Sequence, residues 1–372
     1  MIGSTIALVG TGDLGGWILE FLVRSKGVRK IIVSDIDESW GRLKTFCAAA
    51  GASYFGCYPE VTFQKIDLND IDRTAEIFAN TRPEVVINCT TLMSWWIRQT
   101  VPLEIYKKLE VAGSGPWVPL HLTLTRKLMM AIQRASIQTH VVNTCFPDGV
   151  NAALGKVGLE PTIGGGNTAL LTPGICKKVG EQMGVPPHNL SVSLIAHHFH
   201  VMSLILNQNM GGAPYFIRIM LGDRDITGEV DLDKVLVDAV KEFPPGAKAH
   251  PLVASSFVKN ALAIVRDTGE ISHSPGPKGL PGGWPVRLSE KGAEVVLPQG
   301  LDMTQAMRIV EGAQKFDGIE TIKEDGTIVL TDTAYGVMKE MIGYDCRQYS
   351  LNECEARAKE LLSLFKKYKN KL

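Results

Sequence analysis

The stretch "ALVGTGDLGGWILEFL", residues 7–22, joins an apolar run to a second one of helical spacing through a glycine-rich turn in which Gly10, Gly12 and Gly15 set the spacing. That order predicts a strand, a tight Gly-x-Gly-x-x-Gly turn and a helix. In a chain with 37 glycines the spacing alone carries little weight. Its surroundings carry more, because the next β-branched run, "KIIVSD", ends in Asp35, about 20 residues beyond the last glycine. In such a unit the first glycine permits the turn, the second lets the backbone approach a pyrophosphate, and the third lets the helix pack against the strand. Asp13 and Leu14 lie between the second and third glycines, where a helix N-terminus presents N–H groups to an anion. These residues and Asp35 form a candidate dinucleotide site. A carboxylate at Asp35 accepts from ribose hydroxyls and repels a 2′-phosphate, so NAD is expected over NADP. Asp67, closing "TFQKID", is a candidate for the adenine side, with a solvated loop residue as the alternative.

A chain of 372 residues has room for two domains. Its 45% hydrophobic and 21% charged residues fit a soluble globular protein rather than a disordered one. The 39 basic and 39 acidic side chains cancel, so no net field favours nucleic acid or a membrane, and a small-molecule substrate is the expected partner. The start "MIGSTIALVG" lacks a basic segment ahead of its apolar run and reads as a strand, not a leader. The 7 cysteines are scattered without CxxC spacing, which predicts a reducing cytoplasm and no zinc site. A homodimer or higher homo-oligomer is the base expectation for such an enzyme.

Residues 5–155 alternate β-branched runs with helical segments, which predicts a doubly wound Rossmann α/β domain, a parallel sheet covered by helices on both faces. Residues 156–372 read as a mixed α+β substrate domain. "NLSVSLIAHHFHV" and "PYFIRIMLGD" are expected strands, as are "WPVRLS" and "AEVVLP". "GIETIKEDGTIVLTD" is an expected hairpin. Helices are expected at 231–242, 252–266, 303–315 and 351–368. The Gly- and Pro-rich segment 272–285 is expected to be a long loop.

The strand ends "INCTT" and "VVNTCFPDGVN" place Asn88, Thr90, Asn143 and Asp148 near the reacting end of a bound dinucleotide, although turn residues of these types are also common. Asn143 is a candidate to position the reacting oxygen. "AHHFH" holds His197, His198 and His200. On a strand, His198 and His200 share one face and His197 the other. Imidazole suits proton transfer near neutral pH, two such histidines also suit a metal, and a structural cluster is the third reading.

The run "MGVPPHNLSVSLIAHH" resembles the lactate and malate dehydrogenase pattern of helix end, strand and acid/base histidine. "VVNTCFPDGVNAAL", "TIGGGNTALL" and "WPVRLSEKGAEVVLPQGLDMTQA" are similar to neighbouring stretches of that family, so the resemblance covers most of residues 5–315. It implies NAD-dependent hydride transfer with His198 as the proton carrier and His200 as a second catalytic candidate. The family's orienting aspartate and carboxylate-gripping arginine fall here on Leu171 and Gly174, which departs from the pattern. Arg98, Asn167 and His197 are the candidates for the substrate, Arg98 in place of a mobile-loop arginine and Asn167 in place of the orienting carboxylate. "EVVINCTTL" also resembles opine and saccharopine-type dehydrogenases. Family 4 glycoside hydrolases are similar in order, and there Cys176, His198 and His200 would be the metal ligands to test. Tyr335 and Lys339 have the spacing of a proton relay but read as one helix face. A dinucleotide-binding sensor without turnover is the reading from another class.

Overall fold

The structure, a computed structural model, describes residues 4–372. Five strands, β1 (Ser4–Val9), β2 (Val28–Ser34), β3 (Glu60–Phe63), β4 (Val85–Asn88) and β5 (His140–Asn143), pair in parallel in the order β3-β2-β1-β4-β5. The chain reverses direction across the sheet between β1 and β4, and a crevice opens there beyond the strand ends. Helices α1 (Asp13–Leu22), α2 (Glu38–Ser53), α3 (Ile71–Thr81), α4 (Leu103–Glu110), α5 (Val118–Ala135) and α6 (Pro147–Gly155) complete this part. The doubly wound α/β architecture expected from the alternation is therefore present.

Side chains alternate across each strand, so successive residues enter different cores. Ala7, Val9, Ile32, Val86 and Val141 pack on one face with α3 and α5, whereas Ile6, Leu8, Ile31, Val33, Ile87 and Val142 pack on the other with α1 and α2.

The second part contains α7 (Leu171–Met183), β6 (Leu190–Ile195), α8 (His198–Asn207), β7 (Phe216–Leu221), β8 (Arg224–Asp225), α9 (Leu232–Val240) and α10 (His250–Val265). It continues through β9 (Ile271–Pro275), β10 (Gly283–Ser289), β11 (Gly292–Val295), α11 (Met303–Phe316), β12 (Ile319–Ile322), β13 (Ile328–Leu330), α12 (Asp332–Ile342), β14 (Gln348–Tyr349) and α13 (Cys354–Lys369). Helix α10 lies on α1, and α13 lies on α5, where Leu361 and Phe365 enter the core of the first face. A separate small core joins α7, α9 and the β6–β8 sheet through Leu171, Ile175, Leu194 and Val235.

Two expectations are corrected. Residues 272–285 are not a long loop: β9 and β10 pair antiparallel there, with Ser274 opposite Trp284 and both fully buried. The Asn260 amide donates to Ser274 Oγ at 2.6 Å and His273 to the Leu194 carbonyl at 2.8 Å, contacts that a local composition count does not register. The histidines also leave the strand. β6 stops at Ile195, and His197 becomes the N-cap of α8, with its N–H donating to His200 Nδ1 at 3.0 Å. Val201 and Leu204 then bury at helical spacing, and this period overrides the β-pattern before it. His198 and His200 consequently do not share a strand face.

The glycine turn is fixed by close packing. A Cβ on Gly15 would lie 2.0 Å from the Gly10 carbonyl oxygen, whereas one on Gly12 would meet nothing within 4 Å. Gly15→Ala is expected to cost ~1–3 kcal/mol or more, because the clash is with backbone, and thermal unfolding should show a Tm lowered by several degrees. Gly12→Ala should unfold close to the parent temperature.

Candidate active site

One cleft of about 640 Å³ runs from the glycine turn along the ends of β1, β4 and β5. Gly12, Asp13, Leu14 and Gly15 form one end. No side chain caps α1, so the N–H groups of its first turn are free to meet an anion. A Cβ on Gly12 would meet nothing within 4 Å, so the backbone there is open to the cleft, and with the uncapped N–H groups these residues fit a dinucleotide's pyrophosphate. Asp35 follows β2 beside this turn. Its Oδ2 accepts from the Thr11 N–H and hydroxyl, both at 2.7 Å, and its Oδ1 from the Asp37 N–H at 3.0 Å, which leaves room for about one further donor. Trp40 covers the same corner, with its indole N–H on the Thr11 carbonyl at 3.1 Å. Asp67 lies outside the cleft and closes an Asx turn on the Asn69 N–H at 2.9 Å.

Asn88 and Asn143 are fully buried and bonded to each other, Asn88 Nδ2 to Asn143 Oδ1 at 3.1 Å. Asn88 also donates to Thr125 Oγ1 and accepts from the Thr90 N–H and hydroxyl. Asn143 donates to Asn151 Oδ1 and the Cys145 carbonyl, and accepts from the Cys145 N–H. Every amide donor and acceptor of Asn143 is occupied, so it ties strand ends together and does not enter the cleft. Cys89, Thr91, Thr144, Cys145 and Phe146 form the floor instead. Burial pushes the Cys145 thiol up to about 12, so it presents an uncharged surface there.

His198, in the first turn of α8, projects into the cleft. Its Nδ1–H donates to Asp317 Oδ2 at 3.0 Å, and its backbone N–H to Asp148 Oδ1 at 3.0 Å. Phe146 meets the imidazole edge-on at 5.2 Å while holding φ +43°, a strained conformation for a bulky residue that costs about 1–3 kcal/mol. Asn167 donates to Asp148 Oδ2 and not to the ring. The orienting carboxylate is therefore Asp317, in the turn from α11 to β12, and the expectation for Asn167 is corrected.

Asp317 is 2% exposed. Its Oδ1 accepts from the Ser114 N–H at 2.8 Å, and its carbonyl accepts from the Gly115 N–H at 2.8 Å. A Cβ on Gly113 would lie 2.3 Å from the Asp317 carbonyl carbon, so the segment 113–115 can wrap this residue only without a side chain at that position. Burial alone would raise the Asp317 carboxyl, but His198 and His197 opposite it hold it well below the ordinary carboxylate range. Burial likewise disfavours a charged His198, yet Asp317, with Asp148 behind it, more than offsets this and raises its pKa above the ordinary imidazole value.

The other two histidines lie outside the cleft. His197 is fully buried with Nδ1 3.3 Å from Asp317 Oδ2. His200 accepts from His197 N–H and turns Nε2 to the Ala213 carbonyl at 3.3 Å, and burial holds it near 4, a neutral structural imidazole. Cys176 faces the Leu190 carbonyl in the small core. Among the described residues no three His, Cys, Asp or Glu side chains converge as metal ligands. Tyr335 and Lys339 share an exposed face of α12, where both reach Asp345.

Beyond His198 the cleft ends at Arg98, Gln99, Tyr106, Trp117 and His121. Arg98 occupies a 3-10 turn over Trp95–Thr100 and is 6% exposed, so it is packed rather than carried on an open loop. Its guanidinium lies 5.4 Å over the Trp117 ring and 3.4 Å from Glu110. Burial and the charges of Arg98 and His198 hold His121 down to about 3, and Thr91 Oγ1 meets its Nδ1 at 2.9 Å. Leu171 is core, and a Cβ on Gly174 would lie 2.7 Å from the Ala239 carbonyl oxygen, because α7 packs directly on α9. No catalytic side chain fits at Gly174. Asp317, Ser114, Tyr106, Trp117 and His121 were not found from sequence. The one local signal was the Gly-Ser-Gly at 113–115, whose partner lies 203 residues downstream.

No protein-family model and no curated protein matches this sequence. Solved structures do match in fold. Lactate dehydrogenase from Cryptosporidium parvum, complexed with lactic acid and nicotinamide adenine dinucleotide, aligns with TM-score 0.59 at 17% identity over 85% of this chain and 97% of that one. Malate dehydrogenase from Plasmodium falciparum aligns with TM-score 0.58 at 12% identity over 90% and 100%. Lactate dehydrogenase from Eimeria maxima, with NADH and oxamate, aligns with TM-score 0.58 at 15% identity over 84% and 92%. The chain thus has the fold of the lactate and malate dehydrogenases, as the sequence resemblance implied.

Asp317→Asn removes the charge that raises His198 and leaves burial, which lowers it. An NMR titration of the histidine ring protons should therefore show His198 titrating at lower pH in the variant than in the parent.

Proposed function

We propose that this chain is an NAD-dependent oxidoreductase that interconverts a hydroxyl-bearing carbon and the matching carbonyl in a small substrate. The observation that carries the reading is His198, paired with buried Asp317, facing the same cleft that begins at the uncapped glycine turn. The glycine turn would hold the pyrophosphate and Asp35 the adenosine ribose. NAD, when bound, supplies the hydride acceptor or donor at its nicotinamide. In the oxidation, neutral His198 would take the hydroxyl proton at Nε2, and the nicotinamide, when bound, would accept the hydride, so that the alcohol's two electrons leave with the hydride and its proton with the imidazole. Asp317 accepts from Nδ1–H throughout, which fixes the tautomer and stabilises the imidazolium as it forms. Asp148, held by Asn167, fixes the backbone at the same histidine.

The raised His198 value sets the pH dependence. Carbonyl reduction requires the protonated ring, so its rate should hold at low pH and fall as pH rises through that value. Oxidation requires the neutral ring and should rise over the same range.

Fluorescence titration with NADH and NADPH tests the cofactor assignment: tight NADH and weak NADPH binding is the expected result. His198→Asn should then lower turnover by ~10²–10⁴-fold at unchanged NADH affinity. NADH binding without any turnover, and without an effect of the variant on the bound state, would instead favour a dinucleotide-binding sensor.

A further inference from the structure

His121 shares the cleft with His198 and has no part in the chemistry above. It stands in the first turn of α5, and its Nδ1 meets Thr91 Oγ1 at 2.9 Å. The surroundings of that hydroxyl fix which ring nitrogen carries the proton. Thr91 Oγ1 lies 2.9 Å from the Met93 carbonyl and 3.1 Å from the Leu120 carbonyl. The Leu92 N–H already donates to Leu120, and among the described residues no other donor reaches the Met93 carbonyl. The single hydroxyl proton therefore goes to a carbonyl, and the hydroxyl oxygen accepts from His121 Nδ1–H. Nε2 is left with its lone pair. Among the described residues that atom is neither hydrogen-bonded nor sealed off, so it opens on the cleft. Burial, Arg98 and His198 keep the ring neutral, and the N-terminus of α5 acts in the same direction.

A neutral acceptor in this place selects its partner. A carboxylate would set its lone pairs against that of Nε2, and Arg98 is already paired with Glu110 at 3.4 Å. An ammonium would meet the same charges that keep His121 itself neutral. A hydroxyl donates without a charge. The adjoining wall of Val101, Leu103, Met202, Ile205 and Leu206 is apolar and suits a hydrocarbon body. On the dehydrogenase reading above, we propose that the substrate is a diol with an apolar body, one hydroxyl reacting at His198 and a second, close to it, donating to His121 Nε2. Oxidation yields the hydroxy ketone, with the hydride passing to the nicotinamide and the proton to His198 Nε2. A mono-alcohol would leave the His121 lone pair desolvated and unpaired.

Two measurements test this. Long-range proton–nitrogen NMR of the histidine rings reads the tautomer directly. His121 should carry its proton on Nδ1, and 1-phenyl-1,2-ethanediol should shift its Nε2 resonance where 1-phenylethanol does not. In NAD-dependent oxidation, the same diol should exceed 1-phenylethanol, mandelate and 2-amino-1-phenylethanol in kcat/KM by ~10–100-fold. His121→Phe should erase its advantage over 1-phenylethanol. The tautomer and the shift are read on the parent protein, so they stand even if the substitution disturbs folding. A proton on Nε2, an unmoved Nε2 resonance, or NADH binding without preferential oxidation of the diol overturns the proposal. Failure of NADH to bind overturns the dehydrogenase reading instead, and the tautomer and the diol shift on the cofactor-free chain still decide whether His121 is a hydroxyl acceptor.

Discussion

The buried carboxylate of Asp317 holds the site together. It is removed from water, lies between two imidazoles, and receives the backbone N–H of Ser114, 203 positions earlier in the chain. A carboxylate so placed is tolerated only if its partners are all present, since removing one leaves an uncompensated buried charge. Several distant choices follow from it. Gly113 must lack a side chain, Ser114 must offer its N–H, and α8 must begin at His198 so that Nδ1 reaches Asp317 Oδ2. The same contact joins the turn after α11 to the segment before α5, and so binds the last sixty residues to the sheet that forms the crevice.

The sheet supplies position and the added segments supply chemistry. The chain reverses between β1 and β4, which leaves a crevice at the strand ends, and the amide network of Asn88, Asn143 and Asn151 fixes the floor beside it. That network is saturated, so it contributes rigidity and offers the cleft no free amide. The strained Phe146 next to it fits the same account. Its left-handed backbone stands at the start of α6, and its ring packs edge-on against the imidazole.

A departure from the lactate and malate dehydrogenase pattern in sequence thereby acquires a physical reason. The helix that would carry an aspartate and an arginine in that pattern is pressed against α9, closely enough that Gly174 cannot bear a side chain. The orienting carboxylate comes instead from the C-terminal part of the chain, and the cation at the far end of the cleft comes from the 3-10 turn after β4. The carboxylate paired with His198 lies 119 positions downstream, which is why sequence counting from Gly184 reached His198 but found no partner for it.

Local signals determined the glycine turn, the parallel sheet, Asp35 beside the turn and the helices at 303–316 and 354–369, because spacing of apolar residues and glycines is fixed by the period of each element. Local signals misled at 196–200, where a helix cap interrupts a strand pattern, and at 272–285, where buried hydrogen bonds make strands of a Gly- and Pro-rich segment. Only the tertiary structure separated His198 from His197 and His200, withdrew Asn143 into a saturated network, set Asp317 behind His198 and brought Arg98 to the cleft. The pairing of His198 with Asp317 and of Asp317 with Ser114 joins residues 119 and 203 positions apart, and no local period encodes a contact at that separation.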